Sequence, residues 1–290
     1  MTRAASRVAK FDTDAVGVWG DTETFEVTQE RISAYAEASN DPIPAHLSGE
    51  VAPPVFAIVP VMPALFQAAF MVAPFDVAIN ALHGMQDFRY VRPIVPGDVI
   101  TTRMKPIGFT GKPNGTAAPF YIECRDAAGE LVNEQYLTMF INRVDAGESV
   151  GETAPGHAFD EALRDTEPVA VVTAHMDEDQ TFRYGPAAGD PMPQHTEEEA
   201  AKAAGLPGII IHGLCTQAFI SWALLTEVAD SRTERLKRFA LRFNKPVLPG
   251  QDITTTIWKA GAADGVTTYV FETTVDGEVV IRDGLAEITD

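Results

Sequence analysis

The chain has 290 residues, of which 46% are hydrophobic and 22% charged, with a formal net charge of −19. Such a composition supports packed globular structure rather than disorder, and the length suits two cores of about 140 residues each better than one. The acidic balance argues against a general nucleic-acid or anionic-membrane surface, while leaving room for a small anionic ligand held by a local basic patch.

The first ten residues carry Arg3, Arg7 and Lys10 with no apolar stretch behind them, unlike a signal peptide. Gln29 to Ala38 places Ile32, Tyr35 and Ala36 on one helical face, with Thr28 as its N-cap. Val51 to Val77 is apolar but broken by five prolines, too interrupted to span a bilayer. Within it Ala64 to Val72 reads as a buried helix. Strand patterns follow at Met85–Val91, Asp98–Lys105, Pro119–Arg125 and Leu131–Ile141, with a turn at Ala127-Ala128-Gly129. The stretch 145–168 holds seven acids against the single Arg164, together with Gly147, Gly151, Pro155 and Gly156. It reads as an exposed linker, His157 included.

Beyond it, Val169–His175 and Thr181–Tyr184 are strand-like, and Thr196 to Ala204 reads as a short helix capped by Thr196. Leu214 to Val228 is a long apolar helix. Strands return at Phe239–Phe243, Asp252–Lys259, Val266–Val275 and Val279–Ile288, with Asp276-Gly277 as a tight hairpin turn. Cys124 and Cys215, one in each half, give neither a disulfide framework nor a zinc spacing, so free thiols in a reducing, cytoplasmic compartment are expected.

Two phrases recur. Asp41-Pro42-Ile43-Pro44-Ala45-His46 returns 149 residues later as Asp190-Pro191-Met192-Pro193-Gln194-His195. Arg92-Pro93-Ile94-Val95-Pro96-Gly97 returns 153 residues later as Lys245-Pro246-Val247-Leu248-Pro249-Gly250. Like phrases in the same order imply a duplicated domain. A buried helix wrapped by a long antiparallel sheet, twice over, is an α+β double hot-dog. Its expected parts are an N-terminal half (1–144), the linker (145–168) and a C-terminal half (169–290).

The prolines between Asp190 and His195 forbid a helix there, and an Asp-Pro opening suits a turn that folds the two side chains together. A carboxylate and an imidazole near one point can hold a water and move protons; a turn-capping Asp and a surface His are the alternative. Gly208 to Leu214 leads into the long helix, where the Gly213 N–H at a helix N-terminus can stabilise developing negative charge; a glycine needed only for the bend is the alternative.

These residues carry a resemblance. Gly189 to His195, followed by Pro207-Gly208-Ile209-Ile210-Ile211-His212-Gly213-Leu214, resembles the (R)-specific enoyl-CoA hydratase motif of the MaoC-like dehydratase family. Ala52–Ala57 and Leu82–Phe88 resemble its degenerate N-terminal domain. The sequence departs at Met192, where the family has Asn, and by one extra apolar residue before His212-Gly213.

The resemblance implies reversible hydration of trans-2-enoyl thioesters to (R)-3-hydroxyacyl thioesters. His195 and Asp190 would handle the water and its protons, and the Gly213 N–H would polarise the carbonyl. His212 and Leu214 would bind substrate, and the family's exposed surfaces imply a homodimer. No cofactor or metal is expected. Asp41 and His46 are second-copy candidates, read as a non-catalytic half whose space lodges the acyl tail. Six basic residues lie within Arg232 to Lys245; Arg238, Arg242 and Lys245 are candidates for gripping coenzyme A or an acyl carrier protein. The competing readings are a non-catalytic acyl-thioester binding subunit, for which Met192 argues, and a hot-dog thioesterase.

Overall fold

A computed structural model describes residues 7–78 and 81–290. The strands are β1 (Arg7–Val8), β2 (Glu23–Glu26), β3 (Ala81–Tyr90), β4 (Val99–Pro106), β5 (Gly108–Lys112), β6 (Gly115–Arg125) and β7 (Leu131–Asn142). They continue as β8 (Val144–Asp145), β9 (Ser149–Gly151), β10 (Ala170–His175), β11 (Leu236–Phe243), β12 (Asp252–Ala263), β13 (Val266–Val275) and β14 (Glu278–Thr289). The helices are α1 (Gln29–Ala38), α2 (Pro44–Leu47), α3 (Met62–Leu65), α4 (Phe75–Ala78), α5 (Gln180–Ala188), α6 (Glu198–Ala203) and α7 (Gly213–Val228).

Among the described residues, twelve strands form one sheet, ordered β10-β12-β13-β14-β11-β3-β7-β6-β4-β2, with β5 attached to β6 and β9 to β5. Its pairings are antiparallel throughout, which gives the α+β double hot-dog. The join between the halves is β3 against β11, where Asp87 lies opposite Ala240, its counterpart 153 residues on. Arg238 crosses this join to Asp87 at 2.9 Å.

In the second half α7 is buried along most of its length, from Leu214 to Leu225, and packs on β10, β11 and β12. Its all-round apolar surface fits a helix enclosed by a curved sheet. Asp276 and Gly277 both take positive φ (50° and 80°), which a two-residue hairpin turn needs to match strand twist.

Three segments depart from the sequence reading. The expected first-half helix Ala64–Val72 is instead a broken path: a 3-10 stretch Pro54–Val61, then α3, then a second 3-10 stretch Ala68–Met71. Pro60 lies inside the first stretch, and each proline removes an N–H that a continuous helix would use. Thr181–Tyr184 is not a strand; it belongs to α5, which packs on α1. The N-cap of α6 is Glu197, without a side-chain cap bond, rather than Thr196.

The acidic stretch between the halves also packs. β9 pairs with β5, Phe159 meets Trp258 edge-on at 5.4 Å, and Arg164 forms two bonds to Glu272 at 2.7 and 2.8 Å. His157, expected to be exposed, is buried and donates from Nδ1 to the Asp283 carbonyl at 2.6 Å. No helix among the described residues is long and apolar enough to cross a membrane.

Candidate active site

The Asp190–His195 turn is fixed at both ends. α5 stops at Gly189, whose φ of +78° turns the chain out of the helix, and the Asp190 N–H still reaches the Gly185 carbonyl. Asp190 Oδ1 accepts from the Met192 N–H at 3.0 Å, closing the turn. The Pro193–His195 stretch is a 3-10 turn that brings the His195 ring inward. The approach to α7 is held by the Ile211 N–H on the Val247 carbonyl and the Ile209 N–H on Glu198.

His195 Nδ1 lies 2.8 Å from the Ile210 carbonyl. A carbonyl only accepts, so Nδ1 carries the proton and Nε2 of the neutral ring has the free lone pair. The Gln194 amide meets that nitrogen at 3.4 Å. Burial holds the His195 pKa below the ordinary imidazole value, against the opposing pull of the Ile210 carbonyl and Asp190. Burial raises the Asp190 carboxyl, which the Met192 N–H and His195 only partly offset. The pair therefore favours a neutral imidazole beside a carboxyl that gives up its proton less readily than usual.

His212 stacks on His195 with centroids 3.8 Å apart and a 20° tilt, and its other neighbour is the Tyr184 ring at 5.2 Å. Among the described residues neither ring nitrogen of His212 makes a well-formed hydrogen bond, though the Asp190 backbone exerts a weaker upward pull on its pKa. Burial, then the neighbouring His195, lowers its pKa to about 2, so it stays neutral. The ligand-type atoms of Asp190, His195 and His212 lie within 4.8 Å of one another, a cluster the sequence did not reveal.

Gly213 is the first residue of α7, where an N–H has no intrahelical acceptor. A side chain there would put its Cβ 3.0 Å from the Phe243 ring. These groups line a cavity of about 1080 Å³, shared with Leu214, Thr216, Arg242 and Lys245. The first half supplies much of the rest of the wall, including Met62, Leu65, Phe66 and Phe70 from the broken segment. A continuous helix there would fill space that the broken path leaves open. His83 also lines the cavity, with its ring 5.1 Å from Phe243.

Arg238 is absent from the cavity. It lies against Asp87 and Glu287 at the join between the halves. A run of basic residues on a strand does not reveal which of them meet a carboxylate from another strand. Lys245 does line the cavity but pairs with Glu278, and Arg242 lies 3.5 Å from Asp283.

The first copy is closed. Asp41 Oδ1 accepts from the Ile43 N–H, the same turn bond as in the second copy. Its Oδ2, however, holds His46 Nδ1 at 2.7 Å, and His46 Nε2 meets the Thr233 hydroxyl at 2.6 Å. Asp41, His46 and Thr233 are all buried, and the nearby cavity, lined by Thr233 and Pro54, has only about 10 Å³.

Residues 160–280 match the MaoC-like domain, and residues 14–135 match the FAS1-like dehydratase domain region. The chain is 31% identical to a probable enoyl-CoA hydratase 2 of Dictyostelium discoideum over 71% of its own length and 69% of the relative's. It is 30% identical to 3-hydroxyacyl-thioester dehydratase Y of Mycobacterium tuberculosis over 77% of each. The crystal structure of a MaoC-like dehydratase from Phytophthora capsici superposes with a TM-score of 0.81, at 24% identity, over 96% of this chain and 97% of that one. With the Asp–His turn, the glycine-led helix and both halves of the fold accounted for, the chain belongs to the MaoC-like dehydratase family, among the enoyl-CoA hydratase 2 proteins.

Proposed function

We propose that the protein is a hydro-lyase that reversibly hydrates trans-2-enoyl thioesters to (R)-3-hydroxyacyl thioesters, with its working site in the second half. The observation that carries this reading is that His195, whose Nε2 meets the Gln194 amide at a long 3.4 Å, lines a large cavity beside Asp190, where the equivalent His46 nitrogen is occupied by Thr233 at 2.6 Å.

His195 Nε2 takes a proton from water as its oxygen bonds to C3. The electrons of the double bond move towards the thioester oxygen, where the Gly213 N–H and the start of α7 stabilise the developing charge. Asp190 exchanges the second proton with C2, giving one up there and regaining one from protonated His195, so that both groups end as they began. The reverse sequence dehydrates the 3-hydroxyacyl thioester. His212 and Leu214 shape the site, and Arg242 and Lys245 lie where an anionic carrier would approach.

The division of labour follows the proposed boundaries: 169–290 carries the chemistry, and 1–144 supplies the apolar wall for the acyl tail. Coenzyme A, rather than an acidic carrier protein, suits a chain of net charge −19. The buried free thiols of Cys124 and Cys215 fit a cytoplasmic location, and the family resemblance favours a homodimer.

The test is loss of enoyl ultraviolet absorbance with trans-2-enoyl-CoA substrates, with chiral analysis of the product. Hydration to the (R)-alcohol supports the reading. Release of free thiol would instead indicate a thioesterase, and binding without turnover across acyl lengths would indicate a binding subunit in which Met192 has displaced the catalytic arrangement.

A further inference from the structure

The cavity has two polar ends. One, beside the Asp190–His195 pair, carries Arg242, Lys245 and Arg282, all with carboxylate neighbours in Asp283 or Glu278. The other lies in the first half and carries Lys112, Asn114 and Asn142. The lining also includes the apolar side chains of Met62, Leu65, Phe66, Phe70, Leu82 and Phe140.

Strand register separates the far end from the reaction centre. His83, whose ring meets Phe243 near Gly213, lies on β3 opposite Met139 of β7. Asn142 of β7 pairs with Gly115 of β6, which pairs with Lys112 of β5. Three inter-strand steps from β3 to β5 amount to roughly 14 Å, and the three residues from Met139 to Asn142 add about 10 Å along the strand. A long acyl tail bound at Gly213 would cross the apolar stretch and end near Lys112.

An apolar channel for hydrocarbon tails alone has no use for a cation at its far mouth. Among the described residues, Lys112 has no carboxylate or other partner, although acids outnumber bases 41 to 22 in the chain. The side-chain amides of Asn114 and Asn142 are likewise unengaged among the described residues, leaving donors beside the ammonium group. We propose that this mouth recognises acyl thioesters whose tail ends in an anionic group, an ω-carboxylate. The inference rests on the hydratase reading and adds a substrate class to it.

The experiment compares kcat/KM for a trans-2-enoyl-CoA with a methyl terminus and one of equal length with a terminal carboxylate, in the full chain. The wild type should accept the carboxylate-ended substrate at least as well as the other. The ratio of the two should fall about fivefold in Lys112→Met, as for loss of a solvent-exposed ion pair, further in Lys112→Glu, and stay near wild type in Lys112→Arg. An unchanged ratio in Lys112→Glu, with the methyl-ended substrate still hydrated, overturns the inference alone. Equal losses for both substrates, with weaker inhibition by adenosine 3′,5′-bisphosphate, would assign this mouth to the nucleotide and also overturn it. No hydration of either substrate by the wild type would overturn the hydratase reading itself.

Discussion

The phenol oxygens of Tyr35 and Tyr184 lie 2.9 Å apart, fully buried, on residues separated by the same 149 positions as the two Asp–His turns. Each tyrosine is the repeat counterpart of the other, so their bond lies on the approximate twofold axis of the duplication. The Tyr184 ring also touches His212, which stacks on His195. Removing either hydroxyl leaves the other buried without a partner. Tyr35→Phe or Tyr184→Phe alone should therefore cost about 1–3 kcal/mol of stability, and the double variant less than the sum of the singles. Denaturant unfolding of the three variants measures this.

The two Asp–His pairs should separate activity from stability. Asp190→Asn should lower kcat by about a hundredfold or more, with little change in unfolding midpoint. Asp41→Asn should leave kcat within about threefold but cost about 1–3 kcal/mol, because His46 loses its carboxylate in a closed interior. Steady-state kinetics and denaturant melts on the same preparations check both.

Gly213→Ala should place a methyl group 3.0 Å from the Phe243 ring, where something must shift. Alanine favours helices, so stability should change little. The displaced ring would disturb the oxygen site, and kcat should fall about tenfold, the order expected when one donor is misplaced. Adding Phe243→Leu should recover part of that loss.

Acid should destabilise the fold. His83, half-buried, and His212, buried, stay neutral, with folded pKa values lowered by desolvation from 6.5 to about 4 and about 2. Between those values and 6.5 the unfolded chain binds more protons, so stability falls as pH drops below 6.5. The Asp190 shift is opposite in sign and acts above 3.8, where the folded state holds more protons. Melting temperature should decrease from pH 7 to pH 5, and less steeply in His212→Phe. The base-form requirement at His195 places the acid limb of kcat/KM below 6.5, because its pKa is lowered.

The Asp–His turns, α7 and the last hairpin were legible because their signals are local: prolines, a glycine at a helix start, and Asp-Gly. α5 was not, because Thr181, Phe182 and Tyr184 have strand preferences that packing against α1 overrides. The cavity was only half legible. His195 and Gly213 announce themselves by motif, but Phe66 and Phe70 join them in one cavity only through folding over more than a hundred residues. Arg238 was misassigned for the same reason, since its partner Asp87 lies 151 positions away.

The β3–β11 pairing makes the two halves inseparable in practice. Cutting the chain between them would leave each fragment with a bare strand flank, apt to stick to another copy. Two C-terminal fragments could pair β11 with β11 and rebuild a symmetric sheet, each with its own Asp190 and His195. Such an assembly would bring an unbroken α7 to both centres and lack the proline-broken segment that opens the channel. It would retain the chemistry's groups but lack the Met62, Leu65, Phe66 and Phe70 wall that the first repeat gives the cavity.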